Sequence, residues 1–249
     1  FELSYRQPII ETPRRELALG ATLSRQYTHA TLVDGEIPFP VLGSDFSGRT
    51  RVTALRLFQE WTQRNDRSVL FLRSQFSVGI NLFGSTDNET APDGQFLAWR
   101  GQAQWIHLLA PDTPVIFRSD LQFANRALVP IEQFGIGGAT SVRGYRQDQV
   151  LTDNGVFASA EVRIPIARFS PDSLLQVAPF VEVGSGWNLS GFENPDPRTL
   201  ASAGLGLRLA IANRLNARLD WGIPLISIDR EKDSLQERGL HFSLIYNPF

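Results

Sequence analysis

The side chains that could run a reaction are few and scattered. The three histidines, His29, His107 and His241, have no partner at metal-ligand spacing, cysteine is absent, and no Gly-x-Ser-x-Gly elbow occurs. Asp229 and Glu231 fall in a charged run that reads as a solvated rim rather than as an acid and base pair. No catalytic residue, metal centre or cofactor is therefore expected, and the chain reads as something other than an enzyme. Chemistry of another kind is concentrated in residues 134 to 155, where Gly135, Gly137, Gly138, Gly144 and Gly155 accompany Arg143, Tyr145 and Arg146. Glycines allow positive φ and close backbone approach. A connector of about 20 residues is too long for an ordinary hairpin turn, and loops of that length are functional or disordered; its aromatics and arginines argue for order.

The elements that must position this stretch have a period of two almost everywhere, and no segment sustains a helical apolar stripe. Residues 16 to 24 place Leu17, Leu19, Ala21 and Leu23 on one face; residues 51 to 63 oppose Leu55, Leu57 and Trp61 to Arg56 and Glu60. In 69 to 82, Leu70, Leu72, Phe76 and Val78 oppose Arg73, Gln75 and Ser77. Two more segments put Leu97, Trp99 and Trp105 against Arg100, Gln102 and Gln104, then Phe117, Leu121 and Phe123 against Arg118, Asp120 and Gln122. After the long loop, 156 to 166 and 174 to 187 continue the pattern, the latter with Phe180, Glu182 and Gly184 sharing the polar face, and segments at 200 to 211, 214 to 225 and 239 to 248 follow. With the opening Phe1 to Arg6 this makes about eleven strands, six before the long loop and five after it. Connectors at 25 to 50 and 83 to 95 are long, whereas Arg64 to Arg67 and Ala110 to Pro114 are short.

Strands of about ten residues with one apolar face, joined alternately by long and short connectors, match a transmembrane antiparallel β-barrel. Seven arginines, at 56, 73, 100, 118, 163, 208 and 218, would point inward. Burying that many unpaired charges in a dry core costs several kcal/mol each, so a hydrated lumen is expected. On the outward parity Trp61, Trp99, Trp105, Trp187 and Trp221 read as interface aromatics. The formal net charge of -2 gives no basis for nucleic-acid binding. Neither cysteine nor methionine occurs, including at position 1, and the chain reads as a processed or excised C-terminal piece. A soluble β-sandwich or lipid-binding barrel is the rival fold.

Val142-Arg143-Gly144-Tyr145, preceded by Phe134-Gly-Ile-Gly-Gly138, resembles the signature of the inward-folding loop of the Omp85/TpsB outer-membrane transporter superfamily. Phe180-Val-Glu-Val-Gly184 is similar to the superfamily's Phe-x-Asp-x-Gly strand motif, with Glu182 in place of the usual Asp. The C-terminal Phe249 on an amphipathic last segment is similar to the sorting signal read by the barrel-assembly machinery, although Pro248 interrupts the alternation and Tyr246 lies fourth from the end. The likeness is greatest to the TpsB branch, the pores of two-partner secretion of the haemolysin and haemagglutinin type. It implies a barrel of about sixteen strands in outer-membrane lipid, of which this chain holds the C-terminal part, with the loop at about 127 to 155 folded into the lumen. It further implies a salt bridge of Arg143 with Glu182 and, as partner, a secreted protein in extended form. The residues alone also allow Arg143 to cap a turn and Glu182 to be a solvated lumen charge. An insertase of the Omp85 type is the functional alternative, and a passive porin, which would give the loop no purpose, is the third.

Overall fold

The computed structural model describes residues 1–32, 37–89, 92–189, 191–212, 214–228 and 234–248. Eleven long strands succeed one another as an antiparallel meander: β1 (Glu2–Glu11), β2 (Arg15–His29), β3 (Arg49–Arg64), β4 (Ser68–Ile80), β5 (Phe96–Ala110), β6 (Thr113–Ala124), β7 (Asn154–Val162), β8 (Ser173–Trp187), β9 (Thr199–Ile211), β10 (Leu215–Pro224) and β11 (Leu240–Tyr246). A short stretch, Ile164–Ala167, extends β7 along β8 beyond Arg163. Each long strand pairs with the next in sequence, β6 and β7 joining across the long loop. The sheet is open, with β1 and β11 as its two edges.

Alternation assigns the faces. Outward Leu57, Phe117, Val181, Leu205 and Trp221 are 44–57% exposed, whereas inward Glu182 and Asp220 are at most 4% exposed. A water-soluble protein has the opposite arrangement. The pattern suits an outer surface bathed in hydrocarbon, where covering each large apolar side chain is worth about 1.5–3 kcal/mol relative to water. The outward aromatics fall in two rows. Trp99 stacks on Phe123 at 5.9 Å, with Trp187 6.0 Å beyond it, and nearer the opposite rim Trp105 stacks on Phe117 at 5.6 Å.

The described parts of the connectors 30–48, 81–95, 125–153, 188–198 and 225–239 lie at one rim, and those of the turns 12–14, 65–67, 111–112, 168–172 and 212–214 at the other. The first of the long connectors is shorter than its composition indicates, because β2 runs on to His29 and a two-residue hairpin, Thr31–Leu32 with Ile37–Pro38, tightens the remainder. Asp229, Glu231 and Phe249 lie outside the described residues.

The long loop is a packed substructure. Pro130–Glu132 form a 3₁₀ turn, and Phe134–Ile136 pair with Val150–Thr152 as a small hairpin. Two apolar clusters pack it against the inner wall. Phe134, Ile136, Val142, Tyr145 and Val150 of the loop pack with Phe157 and Leu200 of the wall, and Leu128 and Val129 pack with Val52, Ala54, Phe96 and Ala98. The loop is therefore seated on the wall by apolar packing as well as by polar bonds. Gly155 belongs to β7 and not to the loop; its role is to leave room for the ring of Phe134, which approaches to 2.1 Å of where a Cβ would stand.

Candidate functional site

The base of the loop is tied by polar bonds to the strands on either side. Glu132 pairs with Arg56 of β3 at 2.5 Å, and its carbonyl accepts from the Gln122 amide at 2.9 Å. Asp153 accepts from the Leu128 N–H through Oδ1 at 2.8 Å and from the Leu189 N–H through Oδ2 at 3.0 Å. From that base the loop descends along the inner wall until Arg143 meets Glu161, six residues or about 20 Å of extended strand below Gly155.

At the tip, Gly144 has φ of +105° and its backbone lies against that of Gly222 on β10. A Cβ on Gly222 would stand 2.5 Å from the Gly144 nitrogen and 2.6 Å from the Arg143 carbonyl carbon. Both glycines are needed for this approach, one for the turn and one for the clearance. Val142 is fully buried against Gly184, where a Cβ would meet Ile136 at 2.6 Å and Val142 at 3.2 Å. The Tyr145 hydroxyl lies 2.9 Å from the carbonyl oxygens of both Ala201 and Ile226 and accepts from the Ile226 N–H at 3.2 Å, which fastens the tip to β9 and to the following rim connector. Burial raises the Tyr145 phenol above its ordinary range.

Arg143 is completely buried and projects at the wall. Its Nε and Nη2 donate to Glu182 Oε1 at 2.9 and 2.7 Å, while its backbone N–H donates to Glu182 Oε2 at 2.7 Å. Nη1 donates at 2.9 Å to both Glu161 Oε2 and Asp220 Oδ1. The guanidinium carbon sits 3.4 Å from the centre of the Phe180 ring, so one face of the cation is covered by the aromatic π system. The strand motif thus supplies a stacking surface, a clamp and, at Gly184, clearance. A guanidinium stripped of water is expensive, and three converging carboxylates are the compensation it requires.

The same carboxylates are held by arginines of the wall. Arg208 bonds Glu161 at 3.0 Å and Asp220 at 2.7 Å, Arg163 bonds Glu161 at 2.8 Å, Arg218 bonds Asp220, and Arg118 stands 3.4 Å from Glu182. The inward arginines of the first half are paired likewise: Arg73 with Glu60 at 2.5 Å, and Arg100 with Asp120 through bonds of 2.9 and 2.6 Å. The structure therefore brings Val142, Arg143, Gly144 and Tyr145 together with Phe180, Glu182 and Gly184. Sequence reasoning assigned none of Glu161, Asp220 and Gly222 to the site. Their signal is parity: on 214 to 225 the alternation that turns Leu219 and Trp221 outward turns Asp220 and Gly222 inward. His241, read from sequence as isolated, lies on β11 beside the tip, its Nε2 3.5 Å from the Gly144 nitrogen. Among the described residues no group of His, Cys, Asp and Glu is arranged to hold a metal ion.

The model of the haemolysin secretion/activation proteins ShlB/FhaC/HecB matches residues 46–209. Among solved structures, the chain resembles CdiB from Escherichia coli, with a TM-score of 0.78 at 20% identity, and CdiB from Acinetobacter baumannii, with 0.70 at 21%. BamA from Haemophilus ducreyi lacking POTRA domains 1-3 gives 0.62 at 14%. Each alignment covers 98% of this chain but only 44%, 41% and 53% of the respective structure, so the chain spans about half the length of these relatives or less. No curated protein sequence matches it.

Proposed function

Because the chain belongs to the haemolysin secretion/activation family ShlB/FhaC/HecB, a family of outer-membrane β-barrels, we propose that it forms the later part of a barrel of about sixteen strands that passes a partner protein, in extended form, out of the cell. Further strands between β1 and β11 would close the sheet, as a bilayer demands of every edge. The rim with the short turns would face the periplasm and the rim with the long loops the exterior.

The observation that carries the reading is the seat of the loop: a fully buried arginine, clamped by carboxylates from three strands, holds a folded segment inside the lumen. A passive pore gains nothing from such an obstruction. A pore that must stay sealed until a specific chain arrives does, and we assign the loop that role, with Arg143 and Glu182 as its principal contact.

Removal of the full-length protein from its host tests the reading. One secreted protein should then accumulate on the periplasmic side while the other outer-membrane barrels keep their normal levels. A general depletion of barrels would indicate an insertase instead, and unchanged secretion would sink both readings.

A further inference from the structure

A cavity of about 330 Å³ lies between the loop and the wall, bordered by Thr140 and Ser141 of the loop and by Gln102, Gln104, Arg118 and Phe157 of the strands. Three observations there point to an anion as its ligand. The first is charge. The network around Arg143 joins the guanidinium groups of Arg118, Arg143, Arg163, Arg208 and Arg218 to the carboxylates of Glu161, Glu182 and Asp220, leaving two more positive groups than negative ones. Of that network only Arg118 borders the cavity, and the other charged residues on its wall, Arg100 and Asp120, pair with each other, so the wall itself carries one surplus positive charge.

The second observation is that Arg118, whose guanidinium carbon also lies 5.8 Å from the centre of the Phe157 ring, makes the longest ion pair of the network. Its Nη2 is 3.4 Å from Glu182 Oε1, an oxygen that already accepts twice from Arg143, and its Nε is 3.2 Å from the Ser159 hydroxyl. Among the described residues, Nη1 of Arg118 has no acceptor. The third is the supply of neutral donors: the Gln104 amide and the Thr140 hydroxyl border the same space, and neither has a side-chain partner among the described residues. An anion beside Arg118 would also relieve the repulsion between that guanidinium and Arg143, which in a confined site is far stronger than in bulk water.

We infer that this cavity is a carboxylate-binding site, with Arg118 supplying the charge and Gln104 and Thr140 the neutral hydrogen bonds. The unshared edge of a planar guanidinium fits a planar carboxylate. An acidic side chain of an extended polypeptide is one source of the ligand; a free carboxylate of the medium is the other. The site itself stands on the geometry and does not require the secretion reading.

The test is binding of a peptide of alternating glutamate and serine, carrying a neutral fluorescent label, to the purified full-length protein in detergent, followed by anisotropy. Arg118→Gln should weaken binding about tenfold, the loss of one charge-assisted hydrogen bond. Arg118→Lys should retain most of the affinity, and Arg168→Gln, on the short-turn rim, all of it. A glutamine and serine peptide of the same length should bind at least tenfold more weakly. Competition by free glutamate identifies small carboxylates as ligands too, whereas no competition assigns the site to polypeptide. Equal affinity of the wild type and Arg118→Gln, with both barrels proved folded by heat-dependent gel mobility, overturns the proposal.

Discussion

Glu182 holds Arg143 at two points, Oε2 accepting the backbone N–H at 2.7 Å and Oε1 accepting Nε and Nη2 at 2.9 and 2.7 Å. The two residues are therefore not interchangeable when removed. Arg143→Ala strips three carboxylates of a shared cation, and the loss should be about 3–5 kcal/mol of loop docking, as for other buried pairs broken from one side. Glu182→Ala leaves Arg143 bound to Glu161 and Asp220, so its effect should be smaller, and Glu182→Asp smaller again. Secretion of the partner, normalised to the amount of assembled barrel, should fall in the order Glu182→Asp, Glu182→Ala, Arg143→Ala. Identical losses for the two alanine variants would mean that Glu161 and Asp220 contribute nothing.

The strands and their faces were legible because a half-wet sheet writes its two sides into alternate residues, as Leu72 and Arg73 do. The tip of the loop was legible as well, since its glycines and Arg143 have no place in a strand. The convergence of Glu161, Glu182 and Asp220 was not. These residues lie on β7, β8 and β10, and only the register of the intervening hairpins brings them to one guanidinium. Nor could composition reveal that Phe134, Ile136 and Val142 pack the loop against the inner wall, because an apolar residue in a loop looks the same whether it faces solvent or a wall.

Gly222→Ala probes the closest approach of loop and wall. The added methyl would meet backbone at 2.5–2.6 Å, and backbone cannot rotate away as a side-chain end can. Overpacking of this kind costs about 1–3 kcal/mol, here charged to the loop rather than to the sheet. Proteolysis of intact membranes should cut the loop faster in the variant while the barrel keeps its heat-dependent mobility. Wild-type cutting rates would show that the tip has room to shift.

On the outer surface, Leu72→Arg should destabilise the barrel by about 2–4 kcal/mol if the residue lies near the bilayer midplane. Gln75→Glu on the inner face of the same strand should be close to neutral, because its new carboxylate stands beside Arg73, whose Nη2 already donates to Gln75 Oε1 at 2.8 Å. Folding into lipid vesicles at graded urea concentrations measures both. Similar midpoints for the two variants would mean that the faces are assigned wrongly.

Asp220 separates an electrostatic account of the site from a steric one. It is fully buried and bonds Arg143, Arg208 and Arg218, so Asp220→Asn preserves its size while leaving five guanidinium groups facing two carboxylates. Repulsion among cations within one enclosed region should then loosen the loop and depress secretion at least as strongly as Glu182→Ala. If charge balance is the cause, removing one wall cation should repair part of the damage: Asp220→Asn combined with Arg218→Gln should secrete more than Asp220→Asn alone, although Arg218→Gln alone is mildly harmful. That sign of coupling is expected of residues in one network and not of independent sites. If the double variant is instead worse by the sum of the two single losses, charge balance does not hold the loop, and the shape of the glycine-lined seat must account for its position.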